Sequence, residues 1–293
     1  MISCILVLYM ALLGASFDAP GGQPVPDALY AQREDLSKAR EAAQIWAERL
    51  AQNPQDFESA WKLARARYWL GGHAAQADRK QLLEDGIAAA RTAVKLQPDK
   101  PEGHFWLAAN MGALAESFGL RQGLKYRGDI KSELETVLRI DPAFQQGSAD
   151  RALGRWYYKV PGLFGGSKKQ SEEHLRKALT YNPQSTATLY FLAETLEDEG
   201  KKAEAKTMLD RVLAAPIDPD WAPEDREFKQ KASKLLAEMR QLPASSFQLS
   251  SFQPDSVSTY RTRALTSYTA VPPAPCASAA AAARTRARGT RRT

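Results

Sequence analysis

Apolar residues recur at helical spacing from Asp27 to about residue 242, in stretches divided by short polar breaks. Five of these stretches close in the same way, as Leu-Ala-Gln-Asn-Pro54, Val-Lys-Leu-Gln-Pro98, Leu-Arg-Ile-Asp-Pro142, Leu-Thr-Tyr-Asn-Pro183 and Val-Leu-Ala-Ala-Pro216. Proline lacks the amide proton a helix needs and forces the preceding residue out of helical geometry, so each ending predicts a helix stop. The prolines lie 44, 44, 41 and 33 residues apart. A near-constant interval of this size predicts stacked supersecondary units, none able to bury its apolar face alone. No period-2 stretch bounded by turn signals occurs, so strands are not expected. The predicted fold is an all-α solenoid of about five helix pairs over residues 27–242, with a charged capping helix near residues 224–241.

Within each pair, small residues alternate with large ones, as two closely approaching helices require. Trp61, Ala64, Arg65 and Tyr68 follow such a pattern in a first helix, as do Leu153, Gly154 and Tyr157, and Leu192, Ala193 and Leu196. Second helices carry Ala42 and Trp46; Gly86, Ala90 and Ala93; Leu175 and Ala178; and Ala205 and Leu209. These positions resemble the tetratricopeptide repeat. The departure is length, since the usual period is about 34 residues. The excess is expected as long loops between paired helices, at residues 71–81, 119–127 and 160–169.

The ends differ from the body. Residues 1–20 begin with an apolar run of signal-peptide length, too short to span a bilayer comfortably, although no basic residue precedes it. They predict export to the periplasm without a clear lipoprotein signal. Residues 21–26 read as a linker. Residues 243–293 are rich in Ser, Thr, Ala, Pro and Arg and predict a disordered basic tail. Seven of the arginines and one acid lie at residues 244–293, so the rest of the chain is electrically neutral despite an overall charge of +6. Basicity therefore gives the repeat body no claim on nucleic acid. Cys4 and Cys276 lie outside the body and cannot staple it.

Little points to catalysis. His73, His104 and His174 sit in three different units without metal-ligand spacing; His104 reads as a packing residue and His174 as solvent-facing. The stretch Pro161-Gly-Leu-Phe-Gly-Gly-Ser-Lys-Lys169 lacks the Gly-Lys-Ser/Thr of a phosphate loop and follows a helix. It reads as a glycine turn with Ser167 as helix cap. No catalytic residue, cofactor or metal ion is expected.

Binding residues are easier to nominate. In tetratricopeptide stacks, first-helix offsets 5, 9 and 12 face the concave groove, opposite the packing offsets. Counting from the Trp-type position selects Lys62, Ala66 and Trp69, then Phe105, Ala109 and Gly112. The next units present Arg151, Arg155 and Tyr158, then Tyr190, Glu194 and Glu197. Arg151 and Arg155, one turn apart, are placed to grip a carboxylate. The competing assignment pairs these arginines with Asp150 or with the acids of the fifth unit.

Several stretches add a narrower likeness: Gly86-Ile-Ala-Ala-Ala-Arg-Thr-Ala-Val-Lys-Leu-Gln-Pro98, Pro101-Glu-Gly-His-Phe-Trp-Leu-Ala-Ala-Asn-Met-Gly112, Leu153-Gly-Arg-Trp-Tyr-Tyr-Lys159 and Asp218-Pro-Asp-Trp221. Together they resemble the T-component family associated with TRAP transporters. That resemblance implies a non-catalytic periplasmic adaptor handling a small acidic or hydrophobic ligand with a transporter substrate-binding protein, as a monomer or homo-oligomer. The alternative is a protein-interaction scaffold that grips an extended peptide in its groove.

Overall fold

Each of the five proline endings is a helix terminus in the computed structural model, which describes residues 25–241. Asn53, Gln97, Asp141 and Asn182, immediately before Pro54, Pro98, Pro142 and Pro183, are C-caps with φ between −130° and −149° and ψ between 81° and 96°. Ala215, before Pro216, is likewise non-helical at φ −58°, ψ 139°. This is the backbone that a following proline enforces. All five cap amides still donate to the carbonyl four residues back, so the stop wastes no donor. The predicted export segment, almost all of the linker and the basic tail lie outside the described residues.

The helices form five consecutive pairs: α1 (Pro26–Ala31) with α2 (Leu36–Gln52), α3 (Phe57–His73) with α4 (Gln76–Leu96), α5 (Pro101–Phe118) with α6 (Leu120–Ile140), α7 (Phe144–Lys159) with α8 (Lys168–Tyr181), and α9 (Thr186–Asp198) with α10 (Lys202–Ala214). A last helix, α11 (Ala222–Gln241), follows a 3-10 turn at Pro219–Trp221. Among the described residues there is no strand. Starts are set locally. The side chains of Asp35, Asp56, Ser167 and Ser185 each accept from an amide in the first turn, and Pro101 opens α5 where its missing N–H costs nothing. Odd-numbered helices contact one another along the stack, α3 with α5, α5 with α7 and α7 with α9; each even-numbered helix packs behind its partner. This is a tetratricopeptide-type solenoid.

The predicted small–large alternation builds the core. Ala42, Ala90, Ala93, Ala178 and Ala205 are completely buried, as are Leu175 and Leu209, and Trp46 is almost so. At Gly86 a Cβ would stand 2.1 Å from Oδ1 of Asn110, closer than any side chain tolerates. Fully buried Asn110 donates to the carbonyls of Ala64 and Trp106 at 3.0 and 2.8 Å, tying α5 to α3. Glycine at residue 86 thus makes room for a polar bond between neighbouring pairs.

The extra length is carried mainly as helix and not as the expected loops. Residues 71–81 are spent on the end of α3 and the start of α4, with only Ala74 and Ala75 between them. Residues 120–127 are the first two turns of α6, separated from α5 by Gly119 alone. Helix extension satisfies the backbone of those residues, which a loop would leave to water. Only residues 160–167 form a true connection, with a 3-10 turn at Gly162–Phe164.

Candidate functional site

The odd-numbered helices curve around a groove enclosing about 1870 Å³. Its small-residue floor comes from α5, where Ala108, Ala109, Gly112 and Ala113 keep the backbone close to the open space. Aromatic rings flank it on both sides. Phe105 and Trp106 stack edge-on at 5.1 Å, with Tyr68 tilted against Trp106 at 5.6 Å. Opposite, Tyr190, Phe191 and Phe228 form a triangle with centroids 5.3–6.1 Å apart. Burial pushes the Tyr68 hydroxyl up to about 12, and burial with the Glu194 charge raises Tyr190 similarly. Both phenols therefore stay protonated, as hydrogen-bond donors, at any physiological pH.

The lining holds eight basic and eight acidic side chains, so the groove has no net charge to attract a polyanion. Most are paired. Arg155 donates Nη1 to Glu194 at 2.7 Å and Nε to Glu116 at 3.2 Å, with its guanidinium over the Phe191 ring. Burial works against that charge, but the two carboxylates outweigh it and raise its affinity for the proton. Arg151, one turn earlier on the same face, is partly buried and has no acidic partner among the described residues. Burial lowers its pKa from the ordinary arginine value, and the nearby Tyr68 and Glu224 offset that only in part.

The predicted residues therefore divide. Phe105, Ala109, Gly112, Arg151, Arg155, Tyr190 and Glu194 line the groove. Arg155 and Glu194 are committed to each other, as the competing assignment had it for the fifth unit's acids. Asp150 is not the arginines' partner; completely buried, it takes His174 at 2.8 Å and Lys177 at 3.1 Å. His174 is accordingly not simply solvent-facing, since it also stacks on Tyr157. Tyr158 and Glu197 lie outside the groove lining.

In α3 the prediction is one residue out of register. Lys62 turns to Asp27 at 2.7 Å and to Glu58; Ala66 and Trp69 are buried. The groove side of this helix is instead Arg65 and Tyr68. Counting from Pro54 as from Pro98 places Trp61, Arg65 and Tyr68 opposite Phe105, Ala109 and Gly112. Counting from Trp61 as the repeat tryptophan shifts the helix by one position, a rotation of about 100°. The proline spacing was the signal that could have found Arg65 and Tyr68. In α7 the count is offset differently, because Gln145, Gln146 and Gly147 adopt left-handed φ of 44°, 59° and 77° before the helix proper.

One feature has no counterpart in the repeat pattern. The turn after α1 and the end of α3 meet the final helix, closing the superhelix on itself. Arg33, 5% exposed, donates Nε to Glu224 at 3.1 Å and Nη2 to the Asp220 carbonyl at 3.0 Å. Trp69 donates its indole N–H to the Arg33 carbonyl at 2.7 Å, holding the turn in place. Arg226 reaches Glu34 at 2.8 Å, and the His73 imidazole pairs with Glu227. The acids of α11, which read as a polar cap, thus also act as a clasp.

The clasp predicts a pH dependence. Burial disfavours the His73 cation, but the hydrogen bond to Glu227, aided by the Trp69 carbonyl, outweighs it and raises the ring above its ordinary 6.5. The same bond from His73 lowers Glu227 below 4.5, against the opposing effect of burial. A raised histidine stabilises fully below its unfolded value and loses that contribution as pH rises through the folded one. A lowered carboxylate stabilises fully above its unfolded value and loses that contribution on acidification. The bridge is therefore complete between pH 4.5 and 6.5, and on the alkaline side it weakens as pH rises through the raised His73 value. Thermal unfolding should show wild-type stability falling toward mildly alkaline pH more than that of His73→Ala.

Among the described residues no group of His, Cys, Asp or Glu is arranged to hold a metal ion. Ser167 caps α8 by accepting from the Gln170 amide at 3.3 Å, and the stretch from residue 161 to 169 joins two helices as a glycine turn.

Residues 26–170 match the family model described as regulator of microtubule dynamics protein 1-3, and residues 169–235 match a tetratricopeptide-repeat model. No curated protein sequence matches the chain. Among solved structures, a thermophilic tetratricopeptide-repeat protein of Thermus thermophilus is similar, with 23% identity, a TM-score of 0.56, and coverage of 72% of this chain and 97% of that one. MamA is also similar in part, at 16% identity and TM-score 0.44, over 71% of this chain and 98% of that one. The repeat-model match and the Thermus structure bear out the tetratricopeptide fold, and none of these likenesses points to a transporter T-component.

Proposed function

We propose that this chain is a protein-interaction scaffold whose concave groove takes up an extended segment of a partner, with a carboxylate of that segment seated on Arg151. The observation that carries the reading is Arg151 itself, a partly buried groove cation with no acid in contact among the described residues, on a floor flanked by aromatic rings. Rings supply area for side chains at low entropic cost, and an arginine fork supplies orientation. Size favours a segment over a small ligand. Small-molecule pockets run to about 300–1,000 Å³, and this groove is nearly twice the upper figure. A balanced lining also favours a mixed-composition chain over a polyanion. The match over residues 26–170 is to proteins named as regulators of microtubule dynamics, which agrees with a partner that is itself protein. The apolar residues 1–16 support export as a further part of this reading, to be tested by N-terminal sequencing of the protein recovered from cells.

The test is selection from a displayed library of peptides with free carboxyl termini, followed by calorimetry on the winners and their C-terminally amidated or acid-to-amide versions. Neutralising the carboxylate should weaken binding to the wild type and make no difference to Arg151→Ala. Equal affinity for charged and neutral peptides would remove Arg151 from the account.

A further inference from the structure

We propose a second interaction surface, distinct from the groove floor: the glycine turn between α7 and α8, together with the first turns of α6, docks on an anionic lipid bilayer with Leu163 as the inserted tip. Leu163 is 89% exposed, whereas the other exposed large apolar side chains of the repeat pairs are at most 40% exposed. A single exposed leucine is ordinary on a protein surface, so its setting must carry the argument. Three observations do.

The turn is built to hold this tip outward. Phe164 and Gly166 both donate to the Pro161 carbonyl, at 2.8 and 3.2 Å, and Ser167 donates to Tyr157 at 2.9 Å. Gly165 has φ 103°, and a Cβ on Gly166 would stand 1.6 Å from the Val160 carbonyl oxygen, so the bend accepts only glycine there. A hydrogen-bonded turn presents Leu163 without the entropy cost of ordering a loose loop.

The turn and the segment packed against it are rich in cations. Residues 159–169 contain Lys159, Lys168 and Lys169 and no acid; residues 119–127 contain Arg121, Lys125 and Arg127 and no acid. The two segments are joined, since Trp156 donates to the Arg127 carbonyl at 3.0 Å and the Arg127 guanidinium lies over the Phe164 ring. Lys168 is paired with Asp198 and Lys169 loosely with Glu173; Asp129, further along α6, is the exposed acid flanking the patch. Arg121, Lys125, Arg127 and Lys159 have no acidic partner among the described residues.

The apolar part is one protruding side chain and not a patch. A protein partner needs a buried apolar core and a shaped pocket to gain from it. A bilayer is fluid and closes around a lone apolar tip, while anionic headgroups meet the cations of both segments. No described helix is long and apolar enough to cross a membrane.

The test uses the full chain, sedimented with phosphatidylcholine vesicles containing roughly a third phosphatidylserine. The seven tail arginines are themselves attracted to such vesicles, so the variants decide. Leu163→Asp should lower partitioning roughly tenfold or more, because it replaces an inserted side chain by a repelled one. The triple variant Arg121→Glu, Lys125→Glu, Lys159→Glu should lower it at least as far, with helicity by circular dichroism unchanged in both. A polarity-sensitive dye on Leu163→Cys, with Cys4 and Cys276 replaced by serine, should shift to the blue on these vesicles and not on pure phosphatidylcholine. Unchanged partitioning of Leu163→Asp would assign the attraction to the tail and overturn the proposal. So would an unshifted dye, or no binding of the wild type. Peptide binding in the groove is expected to be unaffected by Leu163→Asp, which keeps the two readings separable.

Discussion

Arg151→Ala should abolish binding of a carboxylate-bearing peptide while leaving the protein at least as stable as the wild type. Removing one member of a buried charge pair at an interface costs about 2–5 kcal/mol, or roughly thirtyfold to several thousandfold in affinity. Stability moves the other way because the native Arg151 is a partly desolvated cation with no carboxylate in contact, and the more distant Glu224 offsets its burial only in part. Arg155→Ala, one turn away, should behave differently. It leaves the neighbouring carboxylates of Glu116 and Glu194 without their shared cation, so folding stability falls. Calorimetry and urea unfolding on the two variants check both halves. The predicted division is binding lost with stability kept at Arg151, and stability lost at Arg155. Equal behaviour of the two would mean that the unpaired state of Arg151 has no consequence.

The second large effect is at the clasp. Arg33→Ala should cost about 3 kcal/mol and loosen the closed superhelix. The reason is burial. Arg33 is 5% exposed, and its removal deprives the part-buried Glu224 carboxylate and the Asp220 carbonyl of their shared donor. Arg226→Ala, which removes the neighbouring pair with Glu34, should cost under about 1 kcal/mol, since both side chains are about half exposed. Urea unfolding supplies the energies, and small-angle scattering should show expansion for Arg33→Ala alone. Matching costs for the two variants would show that burial of Arg33 does not matter.

Much of this fold was legible in the sequence because its determinants are local. A proline dictates the residue before it, so five Pro endings became five helix ends at the expected residues. Small residues such as Gly86, Ala90 and Ala178 could be placed because a close helix crossing admits nothing larger. The extra length was harder. Helical and loop continuations of residues 76–81 and 120–127 differ little in composition, and pairing with a neighbouring helix decides between them. The groove residues were largely legible in α5, α7 and α9, where the count from the Trp-type position kept the right register. They failed in α3, where Trp61 drew the register one position away and hid Arg65 and Tyr68. The clasp was not legible at all. Arg33 and Glu224 are 191 residues apart, and nothing in a local pattern says how far a superhelix turns before its ends meet.

That closure is what turns a curved stack into an enclosed groove, and one distance measures it. Spin labels at Glu34→Cys and Arg226→Cys, with Cys4 and Cys276 replaced by serine, probe the two sides of the clasp without touching Arg33 or Glu224. Double electron–electron resonance should give a single narrow, short-distance population that lengthens in the Arg33→Ala background. A broad or long distribution in the otherwise native chain would mean an open superhelix, and the enclosed groove would have to be abandoned.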